Sequence, residues 1–540
     1  MLKFTRRVGK KCASFLKSES FNANSALYLE DLHKTWKSDP KSVHSSWQEY
    51  FSSLERSSPA QQTHQIPNAV ETSADAAKLG AEKIVNAFRT TGHYHADVDP
   101  LKLSVGQIPR PKSVDIDALF SSLESKGLAS QHLRFAKKEA GYQSLQESWT
   151  LSDIVALMRK VYCGKIGFQF MHIPDVEVRE WVQARIERPE LFSFSKEQKL
   201  DLLRRIEETH AFSSYCERKY STAKRFGCEG LDSGVSGLNH LVAQTKPFKV
   251  KNVTVSMAHR GRLNVLACVL RKPYEQIFSE FEDTKVETRK TSIPGFTGDV
   301  KYHLGASTTV RFADEQQMTL CLLPNPSHLE AVNPLLLGYT RALQARAGGD
   351  THDTLPVVIH GDAAVCGQGI IYELQQMELL RNYSVGGTVH VIFNNQVGFT
   401  TDPCDLRSSY YASNIASLNN NFVMHVNAQE PESVDFAFQL ALEYRMRFGR
   451  DVFIDLIGYR KAGHNEQDQP SFTQPDYYRK VAAAKSLYEE YAERLQREGV
   501  ISPEEAAQSL QKAHAQLEEA QQRAKKGFVE PADPVFDQWR

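Results

Sequence analysis

Two apolar segments in the middle of the chain, each leading at once to a polar side chain, constrain the fold more than any other feature. Residues 355–360 read Leu-Pro-Val-Val-Ile-His and lead to Asp362. Residues 388–393 read Thr-Val-His-Val-Ile-Phe and lead to Asn395. The intervening residues 367–380 have the length and composition of a helix. The pattern predicts two parallel strands joined by a helical crossover.

Parallel strands bring their carboxyl ends to one edge of the sheet, which is where α/β proteins bind ligands. Asp362 offers carboxylate oxygen and Asn395 offers amide oxygen, and both are hard ligands of the kind that Mg²⁺ prefers. Together they predict a metal site that holds a phosphate through the metal. Taken alone, each residue has a structural alternative, since an acid can cap the following helix and an asparagine can serve a turn.

The alternation of strand and helix patterns runs from Val250 to Tyr459. It predicts an α/β fold with a doubly wound, mostly parallel sheet and with helical N-terminal and C-terminal additions. We expect a targeting segment at 1–20, a helical arm at 21–56, a linker at 57–76, a mainly helical region at 77–230, the α/β domain at 231–475 and a charged helical tail at 476–540.

Composition narrows the class of protein. The 540 residues contain 65 Lys+Arg and 65 Asp+Glu, so no bulk charge favours nucleic acid or a membrane surface. No apolar run approaches the ~20 residues that a membrane span needs. The 8 cysteines are scattered without a C-x-x-C pair, which indicates a reducing interior rather than a disulfide framework.

The N-terminus is biased in charge. Residues 1–17 are rich in lysine and arginine and contain no acid, with apolar residues between the charges. This is typical of a mitochondrial transit peptide. The alternative is a frayed basic terminus.

Further candidate side chains follow other predicted strands. His259 and Arg260 come directly after residues 253–257; such a basic turn is either a solvated surface loop or a site for anions. Ser327 and Glu330 match an S-x-x-E capping box, which predicts that His328 lies in the first turn of a helix. That histidine is either structural or directed into a cleft.

Five segments in order resemble one family, the E1 components of 2-oxoglutarate dehydrogenase. Gly-Asp-Ala-Ala at 361–364 followed by Asn-Asn at 394–395 is similar to the thiamine diphosphate signature, with Ala363 in place of the glycine usual at its third position, as this family characteristically has. The five matching segments are His-Arg-Gly-Arg-Leu-Asn-Val at 259–265, Gly-Asp-Val-Lys-Tyr-His-Leu-Gly at 298–305, Asn-Pro-Ser-His-Leu-Glu at 325–330, Asn-Asn-Gln-Val-Gly-Phe-Thr-Thr at 394–401 and Gly-His-Asn-Glu at 463–466.

The resemblance implies thiamine diphosphate and Mg²⁺ as cofactors. It implies that Asp362, Asn395 and the backbone carbonyl of Val397 ligate the metal, and that Arg260 contacts the cofactor. This role for Val397 uses only its carbonyl, so the apolar side chain is no objection.

The resemblance also implies which residues face the substrate. It places His259 in the substrate pocket and gives His328 an active-site role, orienting the substrate carboxylate or moving protons. Tyr302, His303 and His464 are secondary candidates for the same region.

The implied activity is oxidative decarboxylation of 2-oxoglutarate in the mitochondrial matrix, as a step of the tricarboxylic acid cycle. The succinyl group would pass to the lipoyl group of an E2 succinyltransferase, with the arm at 21–56 docking on E2 or capping its own enzyme. A 2-oxoadipate dehydrogenase is the alternative enzyme.

Family members are nearly twice as long, and the resemblance covers only their N-terminal half to two-thirds. The pyrimidine-binding half, with its activating glutamate, has no counterpart here. We therefore expect the diphosphate half of a site, completed in a homodimer or by another chain that carries the pyrimidine domain. The third alternative is a non-catalytic truncated chain that docks on E2 or assists assembly.

Overall fold

The computed structural model describes residues 35–45, 47–48, 51–52, 73–103, 106–127, 132–133, 149–188, 192–282 and 299–527. The predicted transit peptide and nearly all of the predicted linker lie outside these residues. The chain divides into two compact units, residues 1–72 and residues 73–540.

The first unit contains a small aromatic core. Trp36, Val43 and Phe51 are buried together, and the ring centroids of Trp36 and Phe51 are 5.4 Å apart. Residues 35–38 are helical, and a short 3₁₀ turn, Pro40–Ser42, follows after Asp39 accepts a hydrogen bond from the backbone N–H of Lys41. The aspartate and proline therefore end the first helical run, because proline disfavours helix in the residue before it.

An eight-stranded sheet forms the centre of the second unit, which confirms the predicted fold class. The strands are β3 Ile166–Gln169, β4 Asn252–Met257, β5 Ala306–Arg311, β6 Gln317–Leu322, β7 Thr354–Gly361, β8 Val389–Asn394, β9 Phe422–Asn427 and β10 Val452–Ile457, besides a separate antiparallel pair, β1 His132–Leu133 with β2 Trp149–Thr150. Their order in the sheet is β3-β9-β10-β8-β7-β4-β6-β5. The six inner strands are parallel, and each of the two edge strands, β3 and β5, is antiparallel to its neighbour.

Helices cover both faces of this sheet. Alternate side chains of each central strand enter different cores: Val391 joins the large core with Val357, whereas Ile392 packs with Ile371 and Phe453 on the opposite face. The helices are α1 Ser73–Thr91, α2 Ile116–Glu124, α3 Leu151–Tyr162, α4 Val176–Ile186, α5 Lys196–Lys219, α6 Asp232–Gln244, α7 Arg262–Cys268, α8 Tyr274–Phe281, α9 Val332–Arg346, α10 Asp362–Gly367, α11 Gly369–Met377, α12 Pro403–Leu406, α13 Pro431–Phe448, α14 Pro475–Ala483, α15 Leu487–Arg497 and α16 Pro503–Lys525.

The predicted crossover helix at 367–380 differs from the structure. The chain turns helical at once at Asp362, and the helix is interrupted at Gln368, whose backbone is extended with ψ 122°. Gln368 lies between Gly367 and Gly369, and glycines lower the free-energy difference between helical and extended backbone. The first helical turn therefore begins at the strand tip itself.

The regions that flank the α/β core are built into the same compact unit. Strand β3, from the mainly helical region, pairs antiparallel with β9. At the other end, Leu517, Ala520 and Ala524 of α16 are buried in the large core. That helix begins with a capping box in which Ser502 accepts from the N–H of Glu505 and Pro503 occupies the first turn.

Candidate functional site at the carboxyl edge of the sheet

Several of the predicted polar side chains follow carboxyl ends of parallel strands. His259 follows β4, Asp362 follows β7, Asn395 follows β8 and His464 follows β10. The strand order reverses between β4 and β7, because the chain leaves β4 toward β6 and leaves β7 toward β8. A crevice at such a reversal is the usual ligand site of a doubly wound sheet.

Asp362 is the most unusual group at this edge. It is 2% exposed, and its Oδ2 atom has no hydrogen-bond partner among the described residues. Burial raises the pKa of Asp362 to about 6, against the opposing effect of the nearby Arg407 charge. A buried carboxylate oxygen without a donor destabilises the protein, so this atom is fitted to a cation.

Asn395 lies one strand away and is also buried. Its Oδ1 accepts a hydrogen bond from the backbone N–H of Val397 at 3.3 Å, and Gln396 between them has a left-handed φ of 62°. Tyr477 donates from its hydroxyl to the Asn395 carbonyl at 2.8 Å and holds this turn in place. An amide oxygen has a second lone pair, so Oδ1 keeps one for a metal.

Ala363, the departure from the general signature, has a local explanation. A Cβ built on Gly398 would lie 3.0 Å from the Ala363 Cβ. Gly398, in the loop after β8, therefore leaves room for the methyl group of Ala363 in the turn after β7. The two strand tips remain in close contact despite the substitution.

A second set of contacts fastens the basic turn after β4. Arg260 donates to the carbonyl oxygens of Gly227 at 3.1 Å and His464 at 2.7 Å. Glu466 in turn accepts from three consecutive backbone N–H groups, those of Arg225, Phe226 and Gly227, at 2.9 to 3.1 Å. Such a nest of N–H groups binds anions, and here it fixes one loop to another.

Gly261 makes this turn possible. Its φ is 77°, and a Cβ there would lie 3.1 Å from Cys228 and 3.3 Å from Phe393. Arg262, next along, is fully buried and donates to the carbonyls of Leu304, Leu323 and Met257. It is therefore a structural residue, directed away from the crevice.

His259 belongs to an aromatic cluster. Its ring centroid is 4.1 Å from that of Phe226 and 5.8 Å from that of His464, and Tyr302 packs edge-on against the same Phe226 at 4.8 Å. Burial and the neighbouring Arg260 charge lower the pKa of His259 to about 3 and that of His464 to about 4. Both imidazoles are neutral at physiological pH.

The predicted position of His328 is wrong. His328 lies in an exposed bend, and the nearest helix, α9, begins only at Val332 without a side-chain cap. Glu330 cannot complete a capping box because it has a left-handed φ of 70° and its carboxylate turns into the core. His328 instead lines a crevice of about 10 Å³ with Ala258 and Asn325, room for one water molecule.

A chain of buried polar groups starts behind this crevice. The Oε2 atom of Glu330 is 2.8 Å from Nδ1 of His360, whose Nε2 is 2.9 Å from Nδ1 of His390. The Nε2 atom of His390 is 3.2 Å from Oδ2 of Asp451. Gln375 and the Thr388 backbone N–H donate to the same aspartate. Every link between neighbouring groups is within hydrogen-bond distance.

Sequence reasoning did not identify several residues that shape the site. Tyr477 and Arg407 carry no motif that marks them, and Tyr477 lies in the predicted tail rather than in the α/β domain. His303 was a secondary candidate and is buried, with Nδ1 3.2 Å from Asp299. The Gly-His-Asn-Glu segment was the available signal for Glu466.

Three features of the described residues bear on the type of site and of protein. No three His, Cys, Asp or Glu side chains there are arranged to hold a metal, so a metal at this edge would depend on one carboxylate, an amide and backbone oxygen. No helix in the described ranges is long and apolar enough to cross a bilayer. Every described cysteine is a free thiol.

Comparison with known sequences agrees with this geometry. The profile of the family described as dehydrogenase E1 component matches residues 199–532, and that of the 2-oxoglutarate dehydrogenase N-terminus matches residues 18–58. The chain therefore belongs to the dehydrogenase E1 component family.

Within that family the chain is similar to proteins named 2-oxoglutarate dehydrogenase, mitochondrial. The Saccharomyces cerevisiae protein is 38% identical over 552 residues, which cover 96% of this chain and 53% of the relative. The Dictyostelium discoideum protein is 36% identical over 97% of this chain. A 2-oxoglutarate dehydrogenase-like protein of Pongo abelii is 36% identical over 92% of this chain. The chain spans about half the length of these relatives.

Proposed function

We propose that this chain is the diphosphate-binding part of a 2-oxoglutarate dehydrogenase E1 component. The observation that carries the proposal is the unpartnered Oδ2 of buried Asp362 beside Asn395, at the crevice where the strand order reverses. The names of the relatives support both the substrate, 2-oxoglutarate, and a mitochondrial location, which suits the matrix.

The proposed cofactor is thiamine diphosphate held through Mg²⁺. Asp362, Asn395 and the Val397 carbonyl would supply the protein's oxygen ligands, a hard donor set that suits this ion. When bound, thiamine diphosphate would supply the nucleophilic and electron-accepting chemistry that decarboxylation of a 2-oxo acid requires. Because Asp362 must be ionised to bind a cation, the metal would lower its raised pKa.

The histidines would handle the substrate. His259 is neutral and half-buried beside Phe226, so its ring can donate one N–H to a carboxylate or oxo group and accept at the other nitrogen. His328, exposed at the mouth of the neighbouring crevice, can orient a carboxylate from outside. Arg260 would add positive charge next to His259, while its own N–H groups bond the carbonyls of Gly227 and His464 and so hold these two loops together.

The proposed partners follow from the family. The acyl product would pass to the lipoyl group of an E2 succinyltransferase, and a homodimer or a chain with the pyrimidine domain would complete the cofactor site. The helical unit around Trp36, Val43 and Phe51 is the segment we assign to E2 docking.

Calorimetric titration of the purified chain with thiamine diphosphate tests the cofactor assignment. We expect binding that requires Mg²⁺ and is reversed by EDTA. Asp362→Ala should abolish it, while Asp405→Ala, an exposed acid of the loop after β8, should leave it intact. Equal binding by wild type and Asp362→Ala would remove the metal assignment.

A turnover assay tests the substrate. With a chain carrying the pyrimidine domain supplied, we expect decarboxylation of 2-oxoglutarate to exceed that of 2-oxoadipate. Preference for the longer acid would favour the alternative enzyme. Binding to E2 without decarboxylation under any partner condition would indicate a non-catalytic docking or assembly chain.

A further inference from the structure

We propose that Arg407 is an anion-binding residue of the metal site, where its guanidinium holds the oxyanion that accompanies the metal. The oxyanion is either a phosphate oxygen of the cofactor or a carboxylate oxygen of the substrate, which present the same chemistry to a guanidinium. The inference deepens the proposed function and rests on it for the identity of the natural ligand.

The first observation is an unsatisfied cation. The Nε and Nη1 atoms of Arg407 are shielded from solvent and have no hydrogen-bond partner in the part of the chain that the structure describes. Buried guanidinium N–H groups are nearly always paired, since an arginine has five donors and no acceptor. Arg407 directly follows α12, where its backbone N–H donates to the Pro403 carbonyl at 3.2 Å.

The second observation is the identity of its neighbours. Burial raises the pKa values of Asp362 and Cys366 and acts in the same direction on Asp455, and the Arg407 charge opposes burial at all three, so Arg407 lies within electrostatic range of these groups. Asp455 is already satisfied by the side chains of Asn394, Ser413 and His425, at 2.9 to 3.1 Å. In the described part of the chain, Arg407 forms no ion pair with either aspartate.

Among the described residues, this edge of the sheet therefore has an unused carboxylate oxygen on Asp362 and unused guanidinium nitrogens on Arg407, within electrostatic range but not paired with each other. A lone cation would satisfy Asp362 only, and a lone anion would satisfy Arg407 only. A complex of a divalent cation with an oxyanion satisfies both at once. This complementarity selects a metal-bound oxyanion over either free ion.

Other arginines at this edge are not available for the role. The Nη atoms of Arg260 bond the Gly227 and His464 carbonyls. Arg460 donates to the Tyr478 hydroxyl at 2.8 Å and to the Phe399 carbonyl at 2.9 Å. Their side chains bond loop carbonyl and hydroxyl groups, whereas Nε and Nη1 of Arg407 bond no group among the described residues.

The segment that carries Arg407 is fixed in advance. Cys404 donates its backbone N–H to the Gly106 carbonyl at 3.1 Å, and the Leu406 side chain packs over Gly398. A charged group held in place before the ligand arrives loses little entropy on binding. The two buried nitrogens of Arg407 are thus positioned by the loop after β8, the same loop that carries Asn395.

The test is calorimetric titration of the full chain with inorganic pyrophosphate in the presence of Mg²⁺. Charge-assisted hydrogen bonds of this kind are strong, so Arg407→Gln should weaken binding by about 10- to 100-fold. The affinity of Arg407→Lys should lie between those of the wild type and Arg407→Gln, because lysine keeps the charge without the planar guanidinium group. Arg381→Gln, an exposed arginine in the loop after α11, is the matched control and should bind as the wild type does.

A second arm identifies the source of the oxyanion. If Arg407→Gln binds Mg²⁺–pyrophosphate normally but binds 2-oxoglutarate more weakly in the presence of Mg²⁺–thiamine diphosphate, the ligand is the carboxylate. Unchanged binding of both overturns the proposal, as does a wild-type chain that binds neither. Binding of pyrophosphate without binding of thiamine diphosphate supports Arg407 and overturns the proposed function.

Thermal unfolding without ligand separates a binding role from a structural one. Because Arg407 has unpartnered buried nitrogens in the free protein, Arg407→Gln should leave Tm unchanged or raise it. A lowered Tm in the absence of ligand, with pyrophosphate binding lost in proportion, would show that Arg407 supports the loop and would overturn the assignment.

Discussion

Two regions of buried charge lie on neighbouring strands and differ in one respect. In the chain from Glu330 through His360 and His390 to Asp451, each group meets a partner inside the protein. Within the described residues, Asp362 at the end of β7 and Arg407 after α12 retain buried atoms without hydrogen-bond partners. The comparison teaches that a buried polar group can serve stability or binding, and that hydrogen-bond satisfaction distinguishes the two roles.

The largest expected effect comes from breaking the satisfied region. Glu330→Ala removes the acceptor of His360 and Asn333, so it should lower the free energy of unfolding by about 3–5 kcal/mol. Urea denaturation measures the change. The control Asp476→Ala breaks an exposed pair with Arg479 and should cost less than about 1 kcal/mol; equal losses would contradict the contrast.

The next substitution should raise the free energy of unfolding rather than lower it. The folded-state pKa of Asp362 is about 6, above its ordinary 3.8. The protonated form is thus favoured in the fold, and this contribution is lost as pH rises from about 4 through 6. Without ligand, Asp362→Asn should therefore be more stable than wild type at pH 8, by about 2–3 kcal/mol, and close to it at pH 4. Greater stability of the wild type at pH 8 would show that Asp362 has an internal partner.

A third substitution separates cofactor from substrate. His328 is exposed in its bend and lies at the crevice beside Ala258, so His328→Ala should leave Mg²⁺-dependent cofactor binding unchanged. We expect turnover of 2-oxoglutarate to fall by about 10²-fold, the range of a lost acid–base or orienting group. Calorimetric titration measures cofactor binding, and a steady-state assay measures turnover. Loss of cofactor binding would mean that His328 contacts the diphosphate instead of the substrate.

The smallest effect concerns the protonation of His259 and His464, which should not change between pH 7 and pH 5. Because the pKa values of His259 and His464 are lowered to about 3 and about 4, both rings should stay neutral between pH 7 and pH 5. Their imidazole NMR resonances should not move in that range, whereas a histidine with an ordinary pKa near 6.5 titrates there. The neutral form contributes stability that is lost as pH falls from 6.5 toward these values.

The sequence predicted the elements whose pattern is local. Buried parallel strands are nearly continuous apolar runs, so β7 and β8 were located within two residues and their shared carboxyl edge followed from topology. Asp362 and Asn395 were placed correctly at that edge for the same reason. Their function remains a prediction that the proposed titrations test.

The features that depend on tertiary contacts were not predictable. The capping box at Ser327 failed because Glu330 adopts a left-handed backbone and bonds His360 across the sheet. Arg262 lies in a basic turn by sequence but bonds three buried carbonyls. Arg407 stands in a polar loop, and only its unpartnered nitrogens distinguish it from a surface arginine.

The carboxylate of Glu466, bound by three N–H groups at residues 225–227, has a consequence for biosynthesis. The two segments are about 240 residues apart, and the loop that positions Arg260 depends on both. Contacts of such long range form slowly, and a chain folds as it leaves the ribosome from the N-terminus onward. We expect this pocket to close only after the Gly-His-Asn-Glu segment has emerged, so a nascent chain halted after β10 would contain every strand of the sheet and no working crevice.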